Sequence, residues 1–224
     1  DSGILLRFRL PQGNLKECIT MGKHIDVLVK KYPQLSQIRQ DIEAAASILI
    51  NGFESGGKLL LCGNGGSAAD CEHIAGELLK GYRKKRPLDK RDFDILEDKL
   101  SSLLQYGLPA IPLVSHSSVI TAVINDLDSG VIFAQQVMAL GKDGDVLIGI
   151  STSGNAINVI NAIYTAKCKG MRVISLTGSA ASKMSELSDV AICVPAQETP
   201  DVQELHLPVY HTICAEVEEY FFEV

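Results

Sequence analysis

The chain has 224 residues, of which 46% are hydrophobic and 21% charged, and its formal net charge is −6. This size and apolar content suit one α/β domain with additions, or two small domains. The negative balance gives no general attraction for nucleic acid or an anionic membrane surface, so a small-molecule or protein partner is expected.

No apolar run approaches the roughly 20 residues that cross a bilayer, and the opening DSGILLRFRLPQG lacks the basic start and long apolar centre of a signal peptide. Six cysteines lie in apolar segments without a CxxC pair, as free thiols of a reducing compartment do, and the chain is read as cytoplasmic.

In chain order, the apolar periodicity predicts helices over 15–31 and 35–51. A strand, KLLLC, follows at 58–62, and a helix starts near Ser67. The segment 84–107 is dense in charge yet places Leu96, Leu100, Leu103 and Leu104 at helical spacing, which predicts an amphipathic helix packed on the domain or on a neighbouring chain. Four more short apolar runs come after it: PAIPLV at 109–114, DVLIGI at 145–150, RVISLT at 172–177 and DVAICV at 189–194. A last helix is expected from about Pro200 onward, with Thr199 as N-cap and a kink at Pro208. Strands apolar on both faces, with helices between them, predict a doubly wound parallel sheet of about five strands covered on both sides. Residues 1–52 read as an N-terminal helical segment, and 53–224 as the α/β domain carrying the charged insert.

Three strands hand over to glycine and hydroxyl residues: LLLC to GNGGS, VLIGI to STSGNA, and VISLT to GSAAS. In an open α/β sheet this edge takes ligands, and helix N-termini there suit a phosphate. GNGGS lacks the GxGxxG spacing and STSGN lacks the P-loop lysine, so no nucleotide cofactor is expected and a phosphomonoester fits better. His73 and Glu77 stand one turn apart on the helix behind the first loop, either as a surface pair or as chemistry beside a bound phosphosugar. On the last helix Gln203 and His211 share a side and His206 points away. If the two helices meet, His73, Glu77, Gln203 and His211 are placed to ligate a metal or to divide acid and base work. Packing or surface roles are assigned to His24, His116 and His206.

The segments CGNGGSAADCEHIAGEL, NDLDSGVIFAQQV, GDVLIGISTSGNAINVINAI, VISLTG and VQELHLPVYH resemble, in order, the motifs of sugar isomerase (SIS) domain proteins of the phosphoheptose isomerase family. The resemblance implies a single flavodoxin-like SIS domain with N-terminal helices, assembled as a homotetramer with active sites between subunits. It implies isomerisation of sedoheptulose 7-phosphate to D-glycero-D-manno-heptose 7-phosphate, or of a closely related phosphosugar, through an enediol. Carried over by position, Asn64, Gly65, Gly66, Asn125, Asp126, Ser151, Thr152, Ser153 and Gln203 hold the substrate, with Ser67 at the helix start. Glu77 resembles the family's base and His211 its acid, and the zinc-ligand positions of metal-bearing members fall on His73, Glu77, Gln203 and His211.

The chain departs from the family pattern at Gly81 and Asp201, where arginines are usual, and at Ala156, where the phosphate loop usually ends in serine. Lys80 and Arg83 are the nearby cations that would replace the charge lost at Gly81. Some SIS relatives are non-catalytic and serve as phosphosugar-binding or protein-binding regulators, including replication-initiator-associated factors, and that is the alternative reading. Retention of both Glu77 and His211 favours the enzyme.

Overall fold

The computed structural model describes residues 22–89 and 95–222. Five strands form one parallel sheet in the order β2-β1-β3-β4-β5: β1 (Leu59–Gly63), β2 (Ala110–Pro112), β3 (Val146–Ile150), β4 (Arg172–Thr177) and β5 (Val190–Cys193). Each expected strand is present within a residue or two, except that β2 keeps only three residues. This is the flavodoxin order, in which the chain reverses its winding direction between β1 and β3.

Side chains alternate across the sheet as strand geometry demands. Leu59 and Leu61 enter one core with Ile148, Ile174 and Leu176, whereas Leu60 and Cys62 enter the other with Leu147 and Val173. The first core is closed by helices α1 (Lys23–Lys31), α2 (Arg39–Glu54), α3 (Gly66–Leu79) and α9 (Thr199–Phe221). The second is closed by α5 (Ser117–Asp126), α6 (Ile132–Leu140), α7 (Ile157–Cys168) and α8 (Lys183–Leu187). Burial on both faces explains why these strands carry apolar runs rather than alternation.

Of the first predicted helix, residues 15–21 lie outside the described residues and the rest forms α1. The second begins as a 3-10 turn, Pro33–Ile38, because Pro33 supplies a fixed φ and no N–H, and then continues as α2. Ile42, Leu49 and Phe53 of α2 pack into the same core as the sheet. The Glu216 carboxylate of α9 accepts from the N–H groups of Gly22 (3.1 Å), His24 (2.7 Å) and Ile25 (3.1 Å), capping the start of α1.

The insert differs from expectation. Among the described residues it holds one six-residue helix, α4 (Asp98–Leu103); Leu96 is half-buried, and Leu100, Leu103 and Leu104 are exposed and not packed on this domain, which leaves a neighbouring chain as their expected cover. Its base is pinned instead: Pro87 bridges Gln105, and Arg86 turns inward to Glu218. That inward turn spends the buried contact on one guanidinium and leaves the leucines outside.

Helix α9 runs unbroken through Pro208, and Thr212 Oγ1 donates to the Pro208 carbonyl (2.8 Å). Its N-cap is Glu198 rather than Thr199, with Pro200 in the first turn. No helix among the described residues is long and apolar enough to cross a membrane.

Candidate active site

At the end of β1 the chain turns through Asn64 and Gly65 into α3. Gly65 has φ +55°, a conformation that glycine adopts without penalty. At Gly66 an added Cβ would stand 2.5 Å from Gln203 Nε2, so glycine here lets the α9 amide close on the loop. Ser67 is buried at the helix start. Asn64 exchanges two amide hydrogen bonds of 2.9 Å with Asn158 on α7, tying the first loop to the helix behind the second.

The second loop leaves β3 through Ser151, Thr152 and Ser153. Ser153 Oγ lies 3.5 Å from Ser151 Oγ and accepts from the Asn155 N–H (3.3 Å). Gly154, at φ +65°, lies so close to Ser182 that a side chain has no room. Neither α3 nor α7 has a side-chain cap, Ala156 having none to offer. Because β1 and β3 are hydrogen-bonded neighbours, two uncapped helix N-termini stand side by side at the switch point. Their N–H groups and the helix dipoles favour an anion.

One turn along α3, the imidazole–carboxylate cluster forms. His73 Nε2 lies 3.2 Å from Glu77 Oε1 and 3.3 Å from His211 Nε2 on α9. One ligand atom from each of the three residues falls within 4.8 Å of the others. His73 and His211 meet edge to face with centroids 4.8 Å apart, and Tyr82 stacks on His211 at 5.6 Å. Burial, and the charge His73 would carry, hold His211 below the usual imidazole range, with Glu77 opposing. Of the cluster, His211 alone also lines a cavity of about 300 Å³, whose other walls include His24, Lys31, Tyr82, Arg83 and Leu207; neither His73 nor Glu77 lines it.

Several expected residues therefore converge: the two loops are linked, Gln203 reaches Gly66, and His73, Glu77 and His211 assemble. Asn125 and Asp126 instead pair with each other (2.7 Å) at the exposed end of α5, and among the described residues neither bonds to the loops. Of the two cations near Gly81, Lys80 reaches Glu77 Oε2 at 3.6 Å, whereas Arg83 turns to His24 Nδ1 at 2.9 Å. Of the other histidines, His206 and His116 are held away from the cluster. His206 is fully buried against the Thr177 carbonyl (3.3 Å), where burial lowers it to about 4, and His116 bonds to Gln136 (2.7 Å).

Sequence reasoning missed Asp70, Tyr82, Arg86 and Tyr210. Asp70 had a local signal, since it stands three residues before His73 on the same helix face. Arg86 had none, its partner Glu218 being 132 residues away.

Fold and site together define an open α/β protein with its ligand edge at a switch point and a proton-transfer or metal-binding cluster beside it. The SIS domain family pattern matches residues 25–105 and 99–178. The phosphoheptose isomerase of Thermodesulfovibrio yellowstonii is 41% identical over 183 residues, 82% of each chain. A solved phosphoheptose isomerase of Neisseria gonorrhoeae superposes with a TM-score of 0.70 at 32% identity, over 88% of this chain and 95% of that one. That of Francisella tularensis gives 0.72 at 30% identity with the same coverage. The chain belongs to the SIS-domain family, and within it to the phosphoheptose isomerases.

Proposed function

We propose that the chain isomerises sedoheptulose 7-phosphate to D-glycero-D-manno-heptose 7-phosphate. The observation that carries this reading is the meeting of Glu77 and His211 beside two uncapped helix N-termini on adjacent strands. The phosphate is held by the N–H groups and hydroxyls of residues 64–67 and 151–153, and Gln203 binds the sugar at Gly66. Glu77 takes a proton from C1 of the ketose and returns it to C2, while His211 protonates O2 and accepts the proton leaving O1. Carbonyl and hydroxyl thus exchange places through an enediol with no net gain or loss of protons.

His73, Glu77 and His211 are a nitrogen and oxygen donor set that fits zinc, and Gln203, carried over from the family pattern, would be the fourth ligand. Zinc bound there would polarise the carbonyl and lower the basicity of Glu77. We also infer a homotetramer with sites between subunits. The exposure of Ile124, Leu127 and Ile157 supports it, as does the separation of Asn125 and Asp126 from the loops within one chain. A cytoplasmic location is supported by the free thiols of Cys62, Cys71 and Cys214 in apolar surroundings.

The test is proton NMR of the protein with sedoheptulose 7-phosphate in deuterated water, with and without zinc. An aldose product deuterated at C2 is expected. Folded protein giving neither product nor exchange under both conditions refutes the assignment and favours a binding role.

A further inference from the structure

Tyr210 has no part in the chemistry above, yet it is 2% exposed and its hydroxyl lies 3.2 Å from Asp70 Oδ1 and 2.9 Å from His73 Nδ1. A phenol has one hydrogen to give, and a carboxylate only accepts. The hydroxyl therefore donates to Asp70, and its oxygen is left to accept from the imidazole. We propose that Asp70 and Tyr210 hold neutral His73 as the Nδ1–H tautomer, leaving the Nε2 lone pair aimed at Glu77 and His211.

The opposite edge of the ring shows why this matters. His73 Nε2 faces His211 Nε2 at 3.3 Å and Glu77 Oε1 at 3.2 Å. In the Nδ1–H form, Nε2 accepts from His211 or coordinates a cation lying before Glu77. In the other form, Nε2–H donates to Glu77 Oε1 and a cation is excluded. A group that fixes the tautomer from behind is what ligating imidazoles need.

The surroundings support the polarity. Asp70 and His73 share a face of α3, so the carboxylate and the ring reach the same phenol from α9. The Tyr210 ring also meets His73 at 5.5 Å and His211 at 5.0 Å, both edge to face, and so wedges the two imidazole planes. Tyr210 is thus a positioning residue. The proposal deepens the reading of His73, Glu77 and His211 as the working cluster, and its test does not use turnover.

The test is two-bond 1H–15N correlation on protein labelled with 15N-histidine, recorded metal-free above the histidine titration range, with the His73 signal assigned from His73→Gln. Wild type is expected to show protonated Nδ1. Tyr210→Phe, which leaves Nδ1 without a partner, should give a mixture of tautomers. Asp70→Ala frees the phenol hydrogen for Nδ1 and should convert His73 to the Nε2–H form. A wild-type spectrum with protonated Nε2, or a wild-type pattern surviving in both folded variants, overturns the proposal. Competition with a chromogenic chelator gives a second readout, in which zinc affinity falls roughly ten- to a hundredfold in Tyr210→Phe. Equal affinities in folded wild type and variant overturn the metal-directed role, whatever the protein's activity toward sugars.

Discussion

Replacing Arg86 with methionine would remove the cation from the most enclosed ion pair described in the chain. The side chains of Arg86 and Glu218 are 0% and 1% exposed, with Nε and Nη2 at 2.9 and 2.8 Å from Oε1. The guanidinium also donates to the carbonyls of Leu78 (2.7 Å) and Glu77 (3.2 Å), at the end of the helix that carries the proposed base. Leu78 keeps a second partner in the Leu108 N–H, so little is lost at that carbonyl. The main cost is a carboxylate left buried with only the N–H groups of Tyr82, Arg83 and Lys84 around it. Breaking a buried pair in this way costs about 3–5 kcal/mol. For a domain of this size that lowers Tm by roughly 6–20 °C, at about 2–4 °C per kcal/mol. Urea and thermal unfolding measure it. The double variant Arg86→Met with Glu218→Gln buries no charge and keeps one acceptor, enough for the Arg83 and Lys84 N–H groups that share Oε2, while its amide NH2 is left facing the Tyr82 N–H, so it should recover part of the loss. A single variant within about 1 kcal/mol of wild type, or a double variant no better than the single, would refute the reasoning.

Glu77→Gln should abolish isomerisation while changing phosphosugar affinity by less than about tenfold, roughly 1.4 kcal/mol, as calorimetry and turnover together would show; wild-type turnover would remove Glu77 as the base. Gly66→Ala should leave the fold intact, because the clashing atom is the movable end of Gln203, yet raise KM at least severalfold; an unchanged KM would place the Gln203 contact outside the binding site. His206 should make the protein acid-sensitive. Its folded value, about 4, lies below the ordinary 6.5, so between those values the unfolded chain takes up a proton that the folded chain refuses. Its contribution to stability is therefore level above pH 6.5 and falls as pH drops toward 4, by about 3 kcal/mol in all. Urea midpoints should fall accordingly as pH is lowered across that range, and an equal fall in His206→Leu would show that other groups carry the effect.

The strands were readable because a parallel sheet buried on both faces leaves an unmistakable mark: Leu59, Leu60, Leu61 and Cys62 are all apolar whichever way they point. Gly65 and Gly66 were readable for a related reason, since a positive φ and a close approach each demand glycine. The insert was only partly readable because helical spacing of leucines records periodicity and says nothing of what lies opposite: within this chain Arg86, not the leucines of α4, reaches the interior. Contacts that join distant segments left no local trace. Nothing around Arg86 announces Glu218, and Tyr210 beside His211 reads as one more core aromatic until α3 and α9 are seen together. Asn125 and Asp126 were named from the family pattern, and within one chain their position at the end of α5 gives them no visible task.

The last helix suggests where this protein tolerates changes of length. Gln203, Tyr210, His211, Glu216 and Glu218 all project from α9, so the proposed substrate contact, the imidazole cluster, the cap on α1 and the anchor of the insert share one rod. Each residue added to a helix turns everything beyond it by about 100° and lifts it by about 1.5 Å. A single insertion between His211 and Glu216 would keep the chemistry in register with α3 while swinging two carboxylates away from their partners. Natural variation in length should therefore gather in segments such as the charged insert and spare α9, whose spacing acts as a ruler between the proposed reacting groups and the supports that hold them.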